Sequence, residues 1–232
     1  MAHKIDYRYI KLIALISMFC DHVGAVLYPE ETWLRYIGRL AFPIFLFLIV
    51  NSYTYTRSKA QLIKRIVIFT LVSELPYHYA LYKNYNIGFT LLIVLLVINS
   101  EFTFIQKRID KKKLDIFAII SGLGLIFISF IWSELSYGWF AVFTGVLLYN
   151  RDKLGKIWFI VLTFMTGFLY SAVYPGLTST VIISLPVIWI LVCTEDWFKY
   201  SKQTLFVKNF YYIFYPAHLA ILAIFRYMIS NY

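Results

Sequence analysis

Asp21 and His22 stand side by side in SMFCDHVGAVLYPEE, inside a run that is otherwise apolar. A buried imidazole titrates near the working range. It can take a proton from a hydroxyl or amine once a carboxylate or carbonyl fixes its tautomer. Three other stretches bring groups that suit such a site. RYIGRLAFP carries Arg35 and Arg39 one helical turn apart, SELPYH carries Glu74 and His78 at the same spacing, and FYPAHL carries Tyr215 and His218. Residues four apart share a helix face. The chemistry this set suits is removal of a proton from such a nucleophile. His22 would be the general base, with Asp21, Glu74 or a backbone carbonyl orienting it. Arg39 and His218 complete the set. Arg35, His78 and Tyr215 are the candidates for substrate binding.

The elements that must position these groups are membrane helices. The chain has 232 residues, 61% of them hydrophobic and 15% charged, with a mean hydropathy of +0.71, which lies outside the range of ordinary soluble domains. A spanning helix needs about 20 mostly apolar residues. Apolar segments fall at about 9–28, 34–55, 63–82, 87–105, 114–132, 136–150, 156–173, 177–195 and 206–229. The expectation is an all-α polytopic bundle of about nine helices forming one domain over 1–232, with the span at 136–150 short for a full crossing. The N-terminal stretch has the basic start and apolar run of a signal peptide. It lacks a small-residue cleavage site and carries Asp21 and His22, so it reads as a retained first helix. Cys20 and Cys193 both sit in apolar segments, which gives neither a disulfide framework nor metal-ligand spacing.

The net charge of +10 is not the footprint of a nucleic-acid binder, because the cations cluster in short loops rather than on one face. Their placement speaks to topology. The N-terminal flank (Lys4, Arg8, Lys11) and the loops near 57–65, 107–113, 151–156 and 199–208 hold 18 of the 22 basic residues, while the alternate loops hold almost none. By the positive-inside rule this sets the N-terminus in the cytoplasm and the C-terminus outside. The alternation only works if all nine segments cross.

Ionisable side chains at membrane depth are costly and by default face the bundle interior. Counted from the outer helix ends, Arg39 lies about five residues deep, His22 six, Glu74 eight and His218 eleven, all in the outer half. Arg39 and Glu74 suit either an ion pair between helices 2 and 3 or a role in a site. Pro43, Pro76 and Pro216 each lie within four residues of one of these groups, and a proline inside a helix bends it. The same groups suit a second class of protein, a proton-coupled transporter. Inverted repeats and matching broken helices, its usual signs, are not evident.

The stretches LIALISMFCDHVGAVLYPEETWLRYIGRLAFPIFLFLI, SELPYH, NIGFTLL and YYIFYPAHLAIL resemble, in this order and over about residues 10–225, the TraX family, whose namesake acetylates conjugative pilin. The DH, GRLAFP and FYPxHL elements are also similar to a wider superfamily of membrane acyltransferases that includes the acyltransferase-3 proteins and heparan glucosaminide N-acetyltransferase. The resemblance implies a multi-pass protein of the bacterial cytoplasmic membrane. It would pass an acetyl group from cytoplasmic acetyl-CoA to a peptide or glycan acceptor at the outer face, without a metal. The superfamily's early-helix histidine carries onto His22; with acyl transfer implied, Arg39 with His218 would face the oxyanion that develops as the acceptor attacks the thioester, and a variant in which His22 is itself acetylated belongs to the same expectation. The RxxR motif of the acyltransferase-3 branch is not evident.

Overall fold

The structure is a computed structural model and describes residues 5–106, 137–199 and 205–230. The expected span at 114–132 and the basic run Lys107–Lys113 lie outside the described residues. The helices are α1 (Tyr7–Val26), α2 (Thr32–Gly38), α3 (Ala41–Tyr55), α4 (Lys59–Leu81), α5 (Ile87–Gln106), α6 (Gly138–Tyr149), α7 (Arg151–Leu154), α8 (Lys156–Val173), α9 (Thr178–Cys193) and α10 (Leu205–Ser230). Two-residue strands, β1 (Ile5–Asp6) and β2 (Phe198–Lys199), pair in parallel. The protein is an all-α membrane bundle. Five described segments are long and apolar enough to cross a bilayer: Tyr7–Val26, Thr32–Tyr55, Lys156–Val173, Pro175–Cys193 and Phe210–Ile229.

The burial pattern is that of a chain solvated by lipid. Large apolar side chains such as Leu71, Leu75, Phe164, Phe168, Ile221 and Ile224 are exposed, while Thr70, Asn86, Thr163, His22 and His218 are buried. With hydrocarbon outside, apolar surface gains nothing by hiding, and polar groups must find partners within the protein. Buried threonines do this locally. Thr70 and Thr163 donate to the carbonyls of Ile66 and Phe159, four residues back, at 2.8 and 2.7 Å.

The expected helix over 34–55 is two helices, α2 and α3, interrupted at Arg39 and Leu40. Pro43 supplies the reason. In an unbroken helix its ring would press on the carbonyl of Arg39, four residues earlier, which would also lose its N–H partner. Breaking the helix there puts Pro43 in the first turn of α3, where a missing N–H costs nothing. Pro43 therefore does not bend an intact helix. It sets Arg39 at a helix end. Pro76 and Pro216 lie inside the continuous helices α4 and α10.

The described residues form two compact units. The first takes residues up to Leu48, Leu71–Asn84 and residues from Gly167 onward, which gathers α1, α2, parts of α3, α4 and α8, and all of α9 and α10. In it α1 packs on α2 and on α10. The approach of α2 to α1 depends on glycine. A Cβ on Gly24 would lie 2.7 Å from the Cβ of Leu34, and one on Gly38 would collide with the Asp21 side chain. Ser17 donates its hydroxyl to the Ile37 carbonyl at the same seam.

The second unit holds Ile49–Thr70 and Tyr85–Thr166. Asn86 caps α5, its Oδ1 accepting from the Gly88 N–H at 2.8 Å, and donates its own amide to the Thr70 carbonyl of α4 at 2.9 Å. The helix α6 spans 12 residues, about 18 Å at 1.5 Å per residue, against a hydrocarbon core of about 30 Å. Trp139, Phe140, Ala141, Val142 and Leu148 are all buried there, so α6 is enclosed by protein over most of its surface.

Pairings within each unit join segments that the charge alternation puts on one side. The bridge of β1 to β2 ties the N-terminal flank to the start of the basic loop near 199–208. Arg226 of α10 donates to the Ala80 carbonyl at 2.7 Å and lies 4.1 Å from the Tyr82 ring centre, both at the far end of α4. In the second unit Asn150 donates to Glu101 at 3.1 Å.

Candidate active site

His22 sits on α1 and His218 on α10, and both are buried, at 7% and 5% exposure. Their rings meet with Nδ1 of His22 2.7 Å from Nε2 of His218. The ring centres are 5.0 Å apart and the planes differ by 14°. The nitrogen separation plus the offset of each nitrogen from its ring centre accounts for that whole distance. The rings therefore lie edge to edge and nearly coplanar, as an N–H···N bond requires, and not face to face.

The tautomers follow from one further contact. Nδ1 of His218 is 2.7 Å from the carbonyl of Phe214. A carbonyl only accepts, so this nitrogen carries the proton. In the neutral ring Nε2 of His218 is then an acceptor, and Nδ1 of His22 must donate to it. That leaves the lone pair on Nε2 of His22, which makes no hydrogen bond among the described residues. A chain from the Phe214 carbonyl through His218 thus presents one basic nitrogen on α1. Tyr215, also buried, stands edge-on to both rings at 5.7 Å.

Asp21 faces the other way. Arg35 on α2 places Nη1 2.9 Å from Asp21 Oδ2 and 2.8 Å from the Asp21 carbonyl oxygen. Adjacent helical residues diverge by about 100°, so an acid beside His22 in sequence reaches α2, while His22 reaches α10. The orienting group of His22 is a histidine, with a backbone carbonyl one ring removed. Arg39 follows Gly38 at the break after α2. It is half-buried, and with Lys83 it lies near enough to act electrostatically on the Asp21 carboxylate.

The remaining candidates stand apart from this cluster. Among the described residues no ion pair joins Arg39 to Glu74. Glu74 is half-buried on α4. His78 is exposed and its Nδ1 bonds Asn84 at 2.9 Å in the loop that follows. Counting from helix ends put His218 about five residues deeper than His22. The direct contact shows that these two helix ends do not share a height.

Sequence reasoning missed three contributors: the Phe214 carbonyl, Gly38 and Lys83. Only Gly38 left a signal, as a small residue inside an apolar helix. A side chain bonding its own helix's carbonyl leaves none.

The family model for the TraX protein matches residues 7–226. The chain belongs to the TraX family. A relative from Dichelobacter nodosus, named "Probable fimbrial assembly protein FimC, serogroup H1", is 25% identical across 96% of this chain and 97% of its own. An uncharacterized protein of Rickettsia prowazekii (strain Madrid E), RP591, is 36% identical over 84 residues. That match takes in 36% of this TraX-family chain and 32% of the Rickettsia protein, about a third of its length. No solved structure matches significantly.

Proposed function

We propose that this TraX-family protein acetylates an amine or hydroxyl acceptor, a fimbrial or pilin-like peptide or a surface glycan, at the outer face of the bacterial cytoplasmic membrane, drawing the acetyl group from cytoplasmic acetyl-CoA. The observation that carries the reading is the buried His22–His218 pair with its one unengaged basic nitrogen. Support also comes from the family and from a relative named for fimbrial assembly.

In this mechanism Nε2 of His22 removes the acceptor's proton as the acceptor attacks the thioester carbonyl. The new C–N or C–O bond forms, the C–S bond breaks, and the thiolate of CoA leaves and is protonated. His218 is a positioning residue: its Nε2 accepts from Nδ1–H of His22 before and after the proton moves, so the ring stays aimed and the imidazolium stays partnered. Acetyl-CoA brings phosphates, which suit the lysines and arginines of the inner loops. The test is acetyl transfer from acetyl-CoA by protein in nanodiscs. General-base catalysis contributes about 10²–10⁴-fold, and His22→Ala should lose that much while still binding CoA. An unchanged rate would remove His22 from the mechanism.

A further inference from the structure

Four of the 22 basic residues fall outside the inner loops, namely Arg35, Arg39, Lys83 and Arg226, and topology does not account for them. All four belong to the first unit, the one that holds His22 and His218. Two are matched within the fold. Arg35 is paired with Asp21, and Arg226 is fixed by the Ala80 carbonyl and the Tyr82 ring.

Arg39 and Lys83 are not. Neither side chain makes a hydrogen bond or ion pair among the described residues. Gly38 brings the last turn of α2 into contact with Asp21, so Arg39, the next residue, starts beside the helix turn that carries His22. Arg39 and Lys83 both act on the Asp21 carboxylate, but Arg35 already neutralises it at 2.9 Å. Among the described residues no other acid pairs with them. Glu30 and Glu31 are exposed on the α1–α2 loop, with Glu31 accepting from the Trp33 indole at 2.9 Å, and Glu74 forms no pair with either cation. Two cations with no hydrogen bond or ion pair of their own among the described residues therefore stand near Asp21, on the turn of α1 that also carries His22. A half-buried guanidinium in a membrane protein is costly without a counter-charge, and its planar fork suits carboxylate or phosphate.

We infer that Arg39, with Lys83, forms an anion subsite for the acceptor: the acceptor carries a carboxylate or phosphate that these two cations hold while its amine or hydroxyl meets Nε2 of His22. This rests on the acetyl-transfer reading and narrows its substrate class to acidic acceptors. It also moves Arg39 from the reacting carbonyl to recognition.

The test uses the full-length protein in nanodiscs of phosphatidylcholine and four probes: glucosamine 6-phosphate, glucosamine, and the dipeptide amides Ala-Asp and Ala-Asn. The first readout is thermal unfolding, which needs no turnover. The phosphate or carboxylate probe should raise the unfolding temperature where its neutral partner does not, and whichever acidic probe acts names the anion. Arg39→Gln should abolish the shift and Arg39→Lys keep part of it. Lys83→Gln, an exposed loop change, should weaken it without risk to folding. In the transfer assay Arg39→Gln should raise KM for the acidic acceptor about 10- to 100-fold, the size of a lost charge-assisted hydrogen bond, and leave kcat nearly unchanged. Equal shifts for acidic and neutral probes would overturn the subsite. So would an equal fall of kcat for both in Arg39→Gln, which is the oxyanion role. A shift produced by adding phosphatidylglycerol to the discs, with none from the soluble probes, would also overturn it, because the anion would then be lipid. Loss of all acetyl transfer with the anion shift intact would instead sink the acetyltransferase reading and leave the subsite standing.

Discussion

The proton on Nδ1 of His218 is fixed by the Phe214 carbonyl 2.7 Å away, and every other assignment in the histidine pair follows from it. His218→Ala should lower kcat with little change in acceptor KM, because it removes the acceptor that aims His22 and leaves binding alone. His218→Gln, whose amide oxygen is able to accept from Nδ1–H of His22, should recover part of that loss, and steady-state kinetics on the three proteins would check it. Equal activity of the Ala and Gln variants would mean that His218 only fills space. The sequence made His22, His218, Arg39 and Asp21 visible, because ionisable groups in apolar helices stand out at once. It did not reveal which of them touch. Neighbours in sequence point apart around a helix, so Asp21 and His22 ended on different partners, and a residue 196 positions away became the hydrogen-bond partner of His22.

Helices α1 and α2 meet across Gly24 and Gly38, and the Asp21–Arg35 pair depends on that close approach. Gly38→Ala should destabilise the protein by about 1–3 kcal/mol, the usual cost of overpacking. That outweighs the gain of up to about 1 kcal/mol that alanine brings to a helix. Gly176→Ala, with no atom within 4 Å of an added Cβ, should leave the unfolding temperature near that of the parent. Thermal unfolding of both variants would test this, and equal stability would show that the seam is looser than the contact implies. Most helices were legible from apolar run lengths. The break at Arg39 was not, although Pro43 was in plain view, because a proline inside a membrane helix is compatible both with a kink and with an interruption. The two-residue strands were equally invisible, since their ladder partners lie 193 residues apart, as Ile5 with Phe198.

For the whole molecule, the alternation of charged and uncharged loops was the most informative pattern in the sequence, because it reports on every helix at once. It predicts that Ser58→Cys reacts with a membrane-impermeant thiol reagent only from the cytoplasmic side and Asn84→Cys only from the outside, in a Cys20→Ser, Cys193→Ser background. Labelling both from one side would break the topology. Composition also announced a lipid-solvated chain, whereas the grouping of its helices into two units depends on contacts across long separations and had no local signature. The function proposed for this protein is transfer of an acetyl group across the bilayer by a base on α1. Proteoliposomes enclosing radiolabelled acetyl-CoA, with glucosamine 6-phosphate and Ala-Asp amide supplied outside, test it directly. For protein inserted with its cytoplasmic face toward the lumen, labelled product should accumulate outside for the parent chain and fall about 10²–10⁴-fold for His22→Ala. Product that forms equally with the His22 variant, or only when donor and acceptor share one compartment, would contradict the account.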